Sequence, residues 1–132
     1  MPSTAWDTQE IGSALVVKAP DGSEVRVLCA TERGSMISFA LPPGAVSRPV
    51  THRTVEEIWY VVAGAGRLWR RLGADEAVTD LAPGVSLTIP VGTRFQFRND
   101  GAAALQIVAV TMPPWPGNGE ALPGDGPWQA TA

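Results

Sequence analysis

The chain holds one histidine and one cysteine, so nitrogen and sulfur ligands for a metal, and groups that titrate near neutral pH, are scarce. His52 is followed five positions later by a carboxylate, Glu57. A carboxylate beside an imidazole can orient the ring and tune it to carry a proton near neutral pH. The same two groups are also ligand types for divalent transition metals. Cys29 has no second cysteine to bridge to, and it lies in Glu24-Val25-Arg26-Val27-Leu28-Cys29-Ala30, which alternates like a half-buried strand. A reactive thiol would need an electropositive partner, so Cys29 reads as packing.

The elements that must position His52 and Glu57 are strands. Runs of β-favouring residues recur along the chain between Gly, Pro, Asn and Asp, and no stretch sustains a helical period. The pattern predicts strands at Ala14 to Lys18, Glu24 to Ala30, Ser35 to Leu41, Glu57 to Val62 and Gly66 to Arg71. It continues with Ala77 to Leu81, Ser86 to Ile89, Arg94 to Asn99 and Ala104 to Met112. Pro20-Asp21-Gly22-Ser23 reads as a hairpin turn, since Gly22 can take the positive φ such turns need. Many short strands in one domain imply a sandwich or barrel. From Pro113 to Ala132 the prolines and glycines predict a tail without regular secondary structure, held on the barrel by Trp115 and Trp128.

At 132 residues, 45% hydrophobic and 17% charged, the sequence suits one soluble globular domain. The expected domain covers 1–132, with the barrel at about 14–112 and the tail at 113–132. No apolar run reaches membrane-spanning length, and a net charge of -3 leaves no basic footprint for nucleic acid. The start, MPSTAWDTQEIG, lacks the basic and apolar regions of a secretory signal, so a cytoplasmic setting is expected.

Gly44, Val50-Thr51-His52, Glu57 and Gly64 fall on the spacing of one conserved-type motif, and Gly84, Pro90-Val91-Gly92, Phe95 and Asn99 on that of a second. In both, the chain resembles the cupin superfamily, whose first motif carries His-x-His and a glutamate and whose second carries a further histidine. The resemblance implies an all-β double-stranded β-helix, the jelly-roll barrel of the RmlC-like proteins. It also implies that His52 and Glu57 face inward, with Trp59 and Val61 following Glu57 onto the inner face by period-two alternation. Phe95 and Phe97 would face inward from their own strand.

Metal-dependent members hold iron, manganese, nickel, copper or zinc with three histidines and the glutamate. Here Val50 and Phe95 stand at two of the histidine positions, which leaves His52 and Glu57 as the possible metal ligands, fewer than a two-histidine-one-carboxylate site requires. No cofactor is therefore expected, a divalent Mn, Fe, Ni or Zn being the alternative. Three readings of His52 and Glu57 stay open: a satisfied buried pair, the polar end of a ligand pocket walled by Trp59, Phe95, Phe97 and Val50, or a catalytic acid-base pair. Arg67 would join the pocket, and favour an anionic ligand, if its face of the strand pointed inward. The expected function is a small-molecule-binding cupin of bacterial metabolism, acting as a metal-independent isomerase, epimerase or cyclase. The alternatives are a metal-dependent enzyme with an incomplete ligand set and a non-catalytic ligand-sensing module. Expected partners are a small molecule and a second copy of the chain, in a homodimer that covers sheet edges.

Overall fold

The computed structural model of the protein describes residues 5–117 and 119–131. The expected domain limits at residues 1–4 and 132 therefore lie outside the described residues. A single 3-10 turn, Ile11–Ser13, precedes the strands, and no α-helix occurs among the described residues. The strands are β1 (Leu15–Lys18), β2 (Glu24–Ala30), β3 (Ser35–Leu41), β4 (Val50–His52), β5 (Glu56–Ala63), β6 (Gly66–Leu72), β7 (Asp75–Leu81), β8 (Ser86–Ile89), β9 (Arg94–Asn99), β10 (Leu105–Met112) and β11 (Ala121–Pro123). They form two antiparallel sheets, in the orders β1-β2-β3-β10-β5-β8 and β11-β4-β9-β6-β7. The all-β jelly roll anticipated from the sequence is the observed fold, with nine strands close to their expected bounds.

Alternation sets which side chains enter the barrel. Along β5, Glu57, Trp59 and Val61 are buried while Glu56, Ile58, Tyr60 and Val62 are exposed. On β10, Leu105, Ile107, Ala109 and Thr111 are buried in the same rhythm. The interior is built on an aromatic cluster in which Trp59 meets Phe39, Phe97 and Phe95 edge to face, at centroid distances of 4.8, 5.3 and 5.6 Å. Each of these buried side chains stabilises the fold by on the order of 3 kcal/mol through area removed from water. Leu41, Val61, Leu68, Leu81, Leu105 and Ile107 pack beside the cluster and fill one end of the barrel.

One expectation is corrected. The tail is not wholly irregular: β11 pairs with β4, Ala121 opposite His52 and Pro123 opposite Val50. Pro123 is tolerated because β11 is an edge strand, where a missing N–H costs little. β4 is itself a strand that three residues of sequence could not announce. Trp69 is buried on the outer side, where its indole N–H donates to Glu76 of β7 at 2.8 Å. Its neighbour Leu68 takes the inner position instead.

Beyond β11 the tail crosses β9 and β4. Gln96, turned away from the barrel interior, is fully buried by it. The Gln96 amide donates to the carbonyls of Ser47 and Trp128 and accepts from the Trp128 N–H. Trp128 lies 4.5 Å from the Arg98 guanidinium, a cation–π contact.

The turn from β5 to β6 shows how tightly the sheets close. Gly64 has φ +93°, and a Cβ on Gly66 would overlap the Arg98 carbonyl oxygen of β9. That oxygen is backbone and cannot swing aside. Gly66→Ala is therefore expected to destabilise the protein by about 3 kcal/mol or more, which lowers Tm by roughly 10 °C. Differential scanning calorimetry checks this, and an unchanged Tm would contradict the packing described.

Candidate functional site

The other end of the barrel is hollow. A cavity of about 450 Å³ opens there, with Val50 and His52 contributed by β4, Glu57 and Trp59 by β5, and Phe95 by β9. The β1–β2 hairpin bends over one side and brings Asp21. After β10 the chain brings Trp115 over the other side, against His52 at a centroid distance of 4.9 Å. Ser35 and Thr111 share a hydrogen bond beneath this segment, and the Trp115 N–H donates to the Ser35 hydroxyl at 3.2 Å.

Glu57 is buried with both carboxylate oxygens accounted for differently. Oε1 accepts the Trp59 indole N–H at 2.7 Å. Oε2 lies 3.7 Å from His52 Nδ1, near but beyond hydrogen-bond length, and that nitrogen is buried without a hydrogen-bond partner. Burial pushes the Glu57 carboxyl up to about 7, against the Trp59 hydrogen bond, and the Asp21 carboxyl adds to the rise. Burial pushes the His52 imidazole down to about 4, with only the Glu120 carboxylate pulling the other way. At neutral pH the ring is thus uncharged and the carboxyl is close to half ionised. The roles suggested by residue type are exchanged: the group poised to move a proton at pH 7 is Glu57.

Two further residues shape the site, and neither was singled out from the sequence. Asp21 was read only as a turn residue. It is buried, its Oδ1 accepts from the Ser23 N–H at 2.9 Å and hydroxyl at 2.7 Å, and burial raises its carboxyl above the usual range. Nothing in Pro20-Asp21-Gly22-Ser23 distinguishes a turn in solvent from a turn folded over a barrel mouth. Glu120, from the tail, clamps the loop between His52 and Glu57: it accepts from the backbone N–H of Thr54 at 2.5 Å and of Val55 at 2.6 Å, and from the Thr54 hydroxyl. Burial works to raise its carboxyl, and these bonds outweigh burial and hold it below the ordinary value.

Of the residues proposed from sequence, His52, Glu57, Trp59, Phe95 and Val50 meet at the cavity. Phe97 stands behind the wall, packed on Phe39 and Trp59. Arg67 does not join them. It projects from the outer face of β6, half exposed, within 3.5 Å of Asp80 and 3.9 Å of Asp100, because the inner position on that strand belongs to Leu68. Arg67 therefore offers an anionic ligand in the cavity no partner.

The donor set does not fit a resident transition metal. Val50 and Phe95 flank His52 and Glu57 with hydrocarbon, and no three His, Cys, Asp or Glu side chains among the described residues stand close enough to share an ion.

Residues 37–111, more than half the chain, match the cupin domain family. The chain belongs to the cupin family. No curated protein matches it in sequence. Among solved structures this cupin is similar to a Thermus thermophilus protein, at 24% identity and TM-score 0.61 over 82% of this chain and 98% of that one. It is also similar to a conserved Klebsiella pneumoniae protein with a double-stranded β-helix domain, at 18% identity and TM-score 0.69 over 90% and 97%. Oxalate decarboxylase from Bacillus subtilis gives 14% identity and TM-score 0.74, over 87% of this chain and 31% of that one. At these identities the likeness concerns the fold.

The buried Glu57 has a stability signature. Its folded value lies above the unfolded one, so the folded protein binds more protons between about pH 4.5 and 7, and stability falls as pH rises through that window. Glu57→Gln keeps an oxygen for the Trp59 N–H and removes the ionisation. The variant should exceed the parent in Tm at pH 8.5, by an amount equivalent to as much as about 3 kcal/mol, with the gap closing by pH 5. Thermal melts at the two pH values decide it; a gap that is constant with pH contradicts the assignment.

Proposed function

We propose that this cupin binds a small organic molecule in its cavity and moves a proton on it without a resident metal, in the manner of isomerases, epimerases and cyclases. The observation that supports this reading is Glu57, a carboxyl held near neutrality inside an apolar cavity, beside an uncharged imidazole whose Nδ1 has no protein partner. Oε2 is the basic atom that takes the proton. The Trp59 N–H on Oε1 stabilises the carboxylate while it waits. His52 Nδ1 hydrogen-bonds a ligand oxygen or nitrogen and orients it toward Glu57, and Phe95 and Val50 exclude water around the pair.

The test uses EDTA-treated protein in D2O with dihydroxyacetone and acetoin as probes, each bearing exchangeable hydrogens next to a carbonyl. Proton NMR should show enzyme-dependent deuterium uptake, with a rate that rises through a single ionisation near pH 7. Glu57→Gln should lower that rate by about 10²-fold or more, while in a parallel titration in H2O the probes still shift the Trp59 indole N–H resonance. Saturable shifts without exchange would replace the catalytic reading with a ligand-sensing one.

We further propose that two copies of the chain pair through the outer face of the six-stranded sheet, in a cytoplasmic setting. Met36, Ile58, Tyr60 and Val62 are exposed there, and Val110 stands in register with both Met36 and Ile58. Clustered exposed apolar side chains of this kind favour association. Light scattering after gel filtration should give the mass of a dimer, and Ile58→Glu with Tyr60→Glu should give the monomer with unchanged circular dichroism. A monomeric parent protein contradicts the pairing.

A further inference from the structure

If the cavity is a ligand site, its lining also says which charge the ligand carries. Two carboxyls, Asp21 and Glu57, enter it from opposite elements and act on each other as like charges. The cations nearest to them are exposed and lie at the rim of the cavity or outside it. Arg67 faces solvent with its own acidic partners. Lys18 lines the mouth from β1 and is exposed. Arg48 is exposed, and its pull on the Asp21 carboxyl is outweighed by burial. The walls include Phe39, Trp59 and Phe95, with Trp115 over one side.

We infer that the cavity is built for a small organic ammonium ion, its charge held between Asp21 and Glu57 and its body against these aromatic rings. Like charges in an apolar enclosure are costly, and an opposite charge placed between them relieves both. Aromatic faces add cation–π attraction for an ammonium and offer nothing comparable to an anion. A bare metal ion does not suit, because Asp21, His52 and Glu57 do not close on one point. An extended cation does, since an alkylammonium spans several ångströms and spreads its charge over its substituents. His52 Nδ1, buried and unpartnered at the same cavity, accepts a hydrogen bond from an N–H or O–H of such a ligand. Asp21 is locked in place by the Ser23 N–H and hydroxyl, so this end of the site is preorganised before the ligand arrives.

The inference rests on the cavity reading, and the experiment separates the two. Choline, its uncharged carbon isostere 3,3-dimethyl-1-butanol and the anion 3,3-dimethylbutanoate share one shape and differ in charge. Each is titrated into the protein while the Trp59 indole N–H resonance, which reports on the Glu57 carboxylate, is followed. Choline should shift it saturably and bind about tenfold or more tighter than the alcohol, and the anion should bind more weakly still. Asp21→Asn and Glu57→Gln keep the acceptor oxygens used by Ser23 and Trp59. Each should weaken choline by about tenfold and leave the alcohol unchanged. Equal or tighter binding of the alcohol or the anion overturns the ammonium assignment and leaves the cavity as a ligand site. Choline affinity that is unchanged in both variants also overturns it, as does the absence of any shift with choline.

Discussion

The interior of this barrel is filled by side chains at one end and left open at the other, and the remaining features depend on that division. Leu41, Leu68, Leu81, Leu105 and Ile107 close the filled end with Phe97. The Trp59 and Phe39 pair forms the floor between the two halves. Where β4 and β9 face the open half, they offer Val50, His52 and Phe95, which line a space without filling it. A carboxyl in that space sits in the low dielectric of the filled half's wall, and this is what lifts Glu57 toward neutrality.

Burial treats His52 and Glu57 alike in one respect: it disfavours whichever form is charged. For the imidazole that means loss of the proton, and for the carboxyl its retention. The two then stand side by side with no net charge between them at mildly acidic pH, which explains how the pair can be buried without an ion-paired hydrogen bond, their atoms being 3.7 Å apart. Removing one partner of a true buried ion pair would strand a charge. Here neither group depends on the other for neutrality, so both are available to a ligand.

The tail is part of the site's architecture. Glu120 satisfies the N–H groups of Thr54 and Val55, which lie in the loop joining the strand of His52 to the strand of Glu57. Its hold on that loop sets how His52 and Glu57 approach each other. Trp128 and Gln96 anchor the far end of the same segment, and Trp115 anchors the near end against His52. A proline- and glycine-rich stretch can do this because its docking uses side-chain clamps and one short edge strand, and needs no regular structure over its length.

Much of this was legible along the chain. The period-two rhythm of Glu57, Trp59 and Val61 states which residues of β5 enter the barrel, the run of short strands states a sandwich or barrel, and the spacing of Gly44, His52, Glu57, Gly64, Gly84 and Asn99 carries the resemblance to cupins that implies the jelly roll. The substitutions Val50 and Phe95 state that the donors for a metal are short. What the chain order could not contain was distance between remote elements. Asp21 and Glu57 are far apart in sequence, Glu120 is remote from Thr54, and only closure of the barrel brings each pair together. The same holds for Arg67, whose strand could have shown either face until Leu68 took the interior. Residue types and their periodicity determined the barrel and the chemistry available to it. The tertiary structure decided which of those groups share a cavity, and therefore which of them burial shifts toward neutrality, because desolvation depends on three-dimensional surroundings that no local stretch of sequence specifies.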